Sequence, residues 1–184
     1  SIIASDNYKA GVECAKDMMS KLDEGSKIAV MDQPSGTACV QREQGFLDTV
    51  GDYFEIVSTT DTEGDTAKTM TAAEVVLTAD DDLAAFFCIN DPSALGAAAA
   101  VKAANKTGKI GVYSIDASPD GKQALIDGEF TAVACQVPVQ IAEYAFNAAQ
   151  KYVGGDTTID EKKVYLDSHL VLKDEAEKTV NDWQ

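Results

Sequence analysis

The stretch "FFCINDPSALGAAAAV" (86–101) joins two kinds of chain. An apolar run ending in Asn90 reads as a buried strand, and the alanine-rich segment after Pro92 reads as a packed helix. The polar residues at the junction have two different uses. Asp91 is placed to cap the helix, with Pro92 at its first position. Asn90, at the carboxyl end of the strand, is then free to face the crevice in which open parallel sheets bind their ligands.

The same alternation runs outward from this junction. "DNYKAGVECAKDMMSKL" (6–22) sets Val12, Ala15, Met19 and Leu22 at helical spacing and opens on Asp6 or Asn7 as a cap. Strands are expected at 27–32, 54–60, 83–90, 109–116 and 130–136. Helices are expected at 36–50, 65–79, 91–105, 118–128 and 139–153. Residues 163–172 read as extended and the acidic tail 173–184 as helical, while "GGDT" (154–157) is the candidate linker. Near-continuous apolar strands alternating with helices predict an α/β fold, a doubly wound, mainly parallel sheet with helices on both faces. Counting strands from 27–32, the expected order is 2-1-3-4-5, which puts the first and third strands at the switch point.

Bulk properties narrow the partners. The chain has 184 residues and a formal charge of −16, the opposite of what nucleic acid or an anionic membrane surface selects. No run is apolar and long enough to span a bilayer. Cys14, Cys39, Cys88 and Cys135 form no CxxC pair and no zinc-ligand spacing, so small buried thiols are expected, with disulfides left open. The chain starts at Ser1 with the strand-like "SIIASDN" and shows neither an initiator Met nor a signal peptide, so it reads as a piece of a longer or processed product.

The other strand ends extend the argument. "DQPSGTACVQREQGF" follows the first strand and brings Arg42 into the early turns of a helix; the fourth strand ends in Asp116 and the fifth in Gln136. Arg42, Asn90, Asp116 and Gln136 are therefore expected along one rim. A carboxylate that can bridge neighbouring hydroxyls, a guanidinium fork and two amides suit a neutral, hydroxyl-rich small molecule. Singly, each has a plain structural use as a cap, a turn residue or a solvated charge.

At these residues the chain resembles the periplasmic ribose-binding protein family, the sugar-binding components of ABC transporters. The resemblance is carried by "ASDNYKAG" (4–11), "REQGF" (42–46), "INDPSALGA" (89–97), "SIDASPDGKQALIDGEFTAVACQVPVQIA" (114–142) and "LVLK" (170–173). It implies one lobe of a two-lobed type I binding protein outside the cytoplasm. The implied ligand is a monosaccharide or related polyol, the partner a membrane permease, and no cofactor or metal is called for. In the family, the positions matching Arg42, Asn90, Asp116 and Gln136 contact the sugar. By the same analogy, 1–137 is the carboxyl-terminal type of lobe, 138–167 belongs to a second lobe that this chain lacks, and 168–184 returns to the first. The family often stacks an aromatic on the sugar from the loop after the second strand, where this chain has Gly64.

Other functions fit less well. The effector-binding core of a lac-repressor-like regulator, or the sensor domain of a membrane receptor, would share the fold. An enzyme is not expected: the one histidine, His169, lies far along the chain from the strand-end residues, no GxSxG occurs, and "PSGTAC" (34–39) lacks the ending of a phosphate-binding loop.

Overall fold

The computed structural model describes residues 2–156, 158 and 163–183. In chain order the elements are β1 (Ile2–Ser5), α1 (Asn7–Lys21), β2 (Lys27–Asp32), α2 (Thr37–Val50), β3 (Glu55–Asp61), α3 (Thr66–Ala79), β4 (Leu83–Cys88) and α4 (Asp91–Ala103). They continue with β5 (Gly111–Asp116), α5 (Pro119–Ile126), β6 (Ala132–Cys135), α6 (Pro138–Val153), β7 (Lys163–Leu166), β8 (Leu170–Val171) and α7 (Lys173–Thr179).

The main sheet has the order β3-β2-β4-β5-β6-β8. All neighbours are parallel except β6 and β8, so the expected winding is found and an antiparallel edge strand is added to it. Short side chains start most of the helices. Asp6, Asp65, Asn90 and Ser118 each accept a hydrogen bond from the backbone three residues on. Strand residues alternate between two cores. Ile28, Val30, Ala85 and Phe87 face α1 and α2, where Phe46 stacks on Phe87 with ring centroids 4.0 Å apart. Ala29, Met31, Phe86 and Val112 face the alanine-rich side, built with Ala97 and Val101 of α4 and Ala124 of α5.

Three expectations need correction. Asn90, not Asp91, caps α4: its Oδ1 accepts from Ser93 N at 2.9 Å. Both side chains are competent caps, and the hydroxyls of Ser114 on β5 and Ser118 at the start of α5 hold Asp91 inside instead. The extended segment 163–172 is two strands in different sheets, parted at 167–169. The tail is helical only over Lys173–Thr179.

β1 and β7 form a two-stranded parallel sheet of their own. The contact continues beyond it, as Asp6 N donates to Leu166 O at 2.7 Å and Val137 N to Ser5 Oγ at 3.1 Å. Helix α6 follows, and none of its residues is buried. Residues 154–156 of the suggested linker form the turn after α6, and Thr157 lies outside the described residues. All four cysteines are free and buried. Among the described residues, no helix is long and apolar enough to cross a membrane.

Candidate functional site

The carboxyl ends of β2, β4, β5 and β6 share one rim, with the switch point between β2 and β4. Helix packing brings Arg42 there. A Cβ on Gly11 of α1 would overlap Arg42 O, and one on Gly45 of α2 would overlap Tyr8 O. With no side chains between them the two backbones meet, and Asn7 at the start of α1 lies against Arg42.

Arg42 is 6% exposed. Its Nε donates to Asn7 Oδ1 at 3.0 Å, and its Nη1 donates to Ile89 O at 2.8 Å and stands 3.0 Å from Asp116 Oδ1. Gln136 Nε2 donates to the same Asn7 oxygen at 3.2 Å. Arg42, Asp116 and Gln136 are therefore brought into one network. Asn90 stands beside it: Ile89 O, one residue back, accepts from Arg42, and Asp91 N, one residue on, donates to Asp116 Oδ2 at 3.4 Å.

The rim's shape depends on two turns. Asp116 and Ala117 have φ of 144° and 54°, so two consecutive side-chain-bearing residues occupy backbone space that usually belongs to glycine. Such residues cost on the order of 1–3 kcal/mol each and persist only where their surroundings hold them. At Gly64, with φ of 67°, an added Cβ would stand 2.6 Å from Gln33 Oε1 and 2.7 Å from Asn90 Nδ2. The loop after β3 thus offers no side chain at this point, and two amides fill the space an aromatic would need.

The electrostatics follow from burial. Burial raises the Asp116 carboxyl, and Arg42 opposes the rise. Asp91, 2% exposed, is pushed up to about 6, first by burial and then by the charge of Asp116. Hydrogen bonds from Ser114 and Ser118 work in the other direction.

A sequence profile of the periplasmic binding protein domain matches residues 1–157. The chain belongs to that family. Among curated relatives, the ribose import binding protein of Salmonella typhimurium is 32% identical over 175 residues, covering 94% of this chain and 58% of its own length. That of Bacillus subtilis is 31% identical over 180 residues, covering 97% and 56%. A solved ABC transporter solute binding protein from Agrobacterium vitis, with bound D-fucose, superposes with a TM-score of 0.86 at 28% identity over 99% of this chain and 64% of that one. This periplasmic binding protein chain thus spans less than two thirds of the length of these relatives.

Two rim residues escaped the sequence reading. The sequence offers Asn7 only as a cap, yet it is buried and its Oδ1 joins Arg42 to Gln136. The available signal was two polar residues in succession at a strand-to-helix turn, the pattern of Asn90-Asp91. Asp91 was assigned the cap that Asn90 provides. His169 lies at the edge of the sheet beside Cys135, its ring between Cys135 Sγ at 3.4 Å and Glu175 Oε1 at 3.2 Å. The thiol is buried, and burial raises its pKa. Among the described residues, no group of three His, Cys, Asp or Glu side chains could hold a metal ion.

Proposed function

We propose that this chain is the greater part of a solute-binding protein that delivers a monosaccharide or related polyol to the permease of an ABC transporter outside the cytoplasm. The observation that carries the reading is the Arg42–Asp116 pair, a buried guanidinium against a half-buried carboxylate, beside the switch point. In this reading Asp116 accepts from adjacent sugar hydroxyls, Arg42 donates from its fork, and Asn90 and Gln136 do both. The sugar is handed on unchanged. The named relatives are import binding proteins, and the neighbour from Agrobacterium vitis holds D-fucose.

The proposed organisation is one lobe over 1–137 and a helix and strand over 138–167 that complete a second lobe, with 168–184 returning to the first. Its support is that α6 buries none of its residues and that β1 and β7 pair apart from the main sheet. The lobes hinge on the linking segments, and a ligand touching both stabilises the closed form.

Asp116→Ala in the full-length protein tests the site. Losing a charged partner of a desolvated contact costs about 2–5 kcal/mol, so calorimetry with D-ribose and D-allose should show binding weakened at least about thirtyfold. Unchanged affinity for a sugar that the parent protein binds would refute the assignment of Asp116.

A further inference from the structure

We propose that Asp91 is a positioning residue for sugar binding, its buried carboxylate holding the left-handed Asp116–Ala117 turn in the form that presents Asp116 to the crevice. The carboxylate gathers three donors from the two sides of that turn: Ser114 Oγ at 2.5 Å, Ser118 N at 2.8 Å and Ser118 Oγ at 2.6 Å. Its own backbone N–H points back at Asp116 Oδ2. One residue at the head of α4 therefore grips the strand before the turn, the residue after it and the side chain within it.

The chain also makes room for this carboxylate. A Cβ on Gly121 would overlap the Asp91 carboxyl group, so α5 has no side chain there. Asp91 is too deeply placed to touch a ligand and does not cap α4, so its carboxylate serves the residues on either side of the turn. The charged groups facing it are Asp116 from β5 and Lys122 from α5, and Arg42 of α2 occupies the other side of Asp116. The ionised form can accept from all three donors, whereas protonation gives one oxygen a proton to donate and loosens the grip.

The significance of this role rests on the sugar-site reading, but its first test does not. In the 184-residue chain without sugar, the Ser118 amide resonance should titrate with a midpoint near pH about 6. In Asp91→Asn that dependence should vanish, while the amides of α1 and α3 stay in place. In the full-length protein, Asp91→Ala should weaken D-ribose and D-allose binding at least about tenfold. Asp91→Asn should recover part of the loss and give an affinity that changes less between pH 5 and 8 than the parent's, the remaining change coming from Asp116. A Ser118 amide that ignores both pH and the Asn variant overturns the proposal even if Asp91→Ala does not fold. A displaced amide with unchanged sugar affinity overturns it as well, because Asp91 would then be structural only. If the parent protein binds neither sugar, it is the sugar reading that fails, and the amide titration decides whether Asp91 holds the turn.

Discussion

Four carboxyl groups, Asp32, Glu43, Asp91 and Asp116, are raised above their ordinary values, each chiefly by burial. An acid whose folded value lies above its unfolded value takes up a proton on folding in the window between the two. Stability from such a group is present at low pH and is lost as pH rises through that window. For Asp91 the window runs from 3.8 to about 6, a contribution on the order of 3 kcal/mol. The lowered Asp82 has the opposite sign, but its effect falls below its ordinary value of 3.8 and outside this window. The chain should therefore melt at a higher temperature at pH 5 than at pH 7.5. Calorimetry across that range checks the slope, and a midpoint that rises with pH would show the carboxyls to be solvated. The ionised state that weakens the fold is also the one that grips the turn beside Asp116, so some stability is given up for the shape of the rim.

At the scale of elements, α1 and α2 meet along Gly11 and Gly45, and this contact carries Asn7 and Arg42 to the rim. The overlapping atom at Gly11 is backbone, which cannot swing aside as a side-chain end can. Gly11→Ala is expected to lower unfolding free energy by about 1–3 kcal/mol and to part Arg42 from Asn7. Urea titration and the Arg42 Nε resonance read the two effects, and a variant as stable as the parent would mean that the helices slide freely. Much of this level was legible in the sequence. The apolar runs ending in Asp32, Asn90, Asp116 and Gln136 announce strands whose carboxyl ends face one way. The pairing of Ile2–Ser5 with Lys163–Leu166 was not, because two four-residue strands so far apart leave no turn signal between them. The exchange of roles between Asn90 and Asp91 was hidden for a different reason. Asn and Asp cap equally well, and only the hydroxyls of Ser114 and Ser118, brought close by the folded sheet, separate them.

On the scale of the whole molecule, α6 is the outlier. Val139, Tyr144, Phe146, Tyr152 and Val153 are all exposed, Val153 at 87%. Val139, Phe146 and Val153 share one side of the helix and Tyr144 and Tyr152 the other, and so much exposed apolar surface favours association. The 184-residue chain should bind a hydrophobic dye and sediment as more than a monomer at high concentration. Phe146→Lys combined with Val153→Lys should return it to a monomer without moving the melting of the main sheet. A monodisperse parent chain that binds no dye would count against the second-lobe assignment of α6.

The small β1–β7 sheet has a consequence for how the chain comes into being. Ribosomes emit a chain from its amino end at roughly 5–20 residues per second. Ile2–Ser5 emerge well before Lys163–Leu166 and must wait for them, while β6 waits for Leu170–Val171 to cover its open edge. For on the order of ten seconds the nascent polypeptide carries unmatched strands. Its most distant pairings are also the slowest kind to form. The β1–β7 pairing is out of reach until Lys163–Leu166 have been made, so this part of the chain stays pliable through that interval.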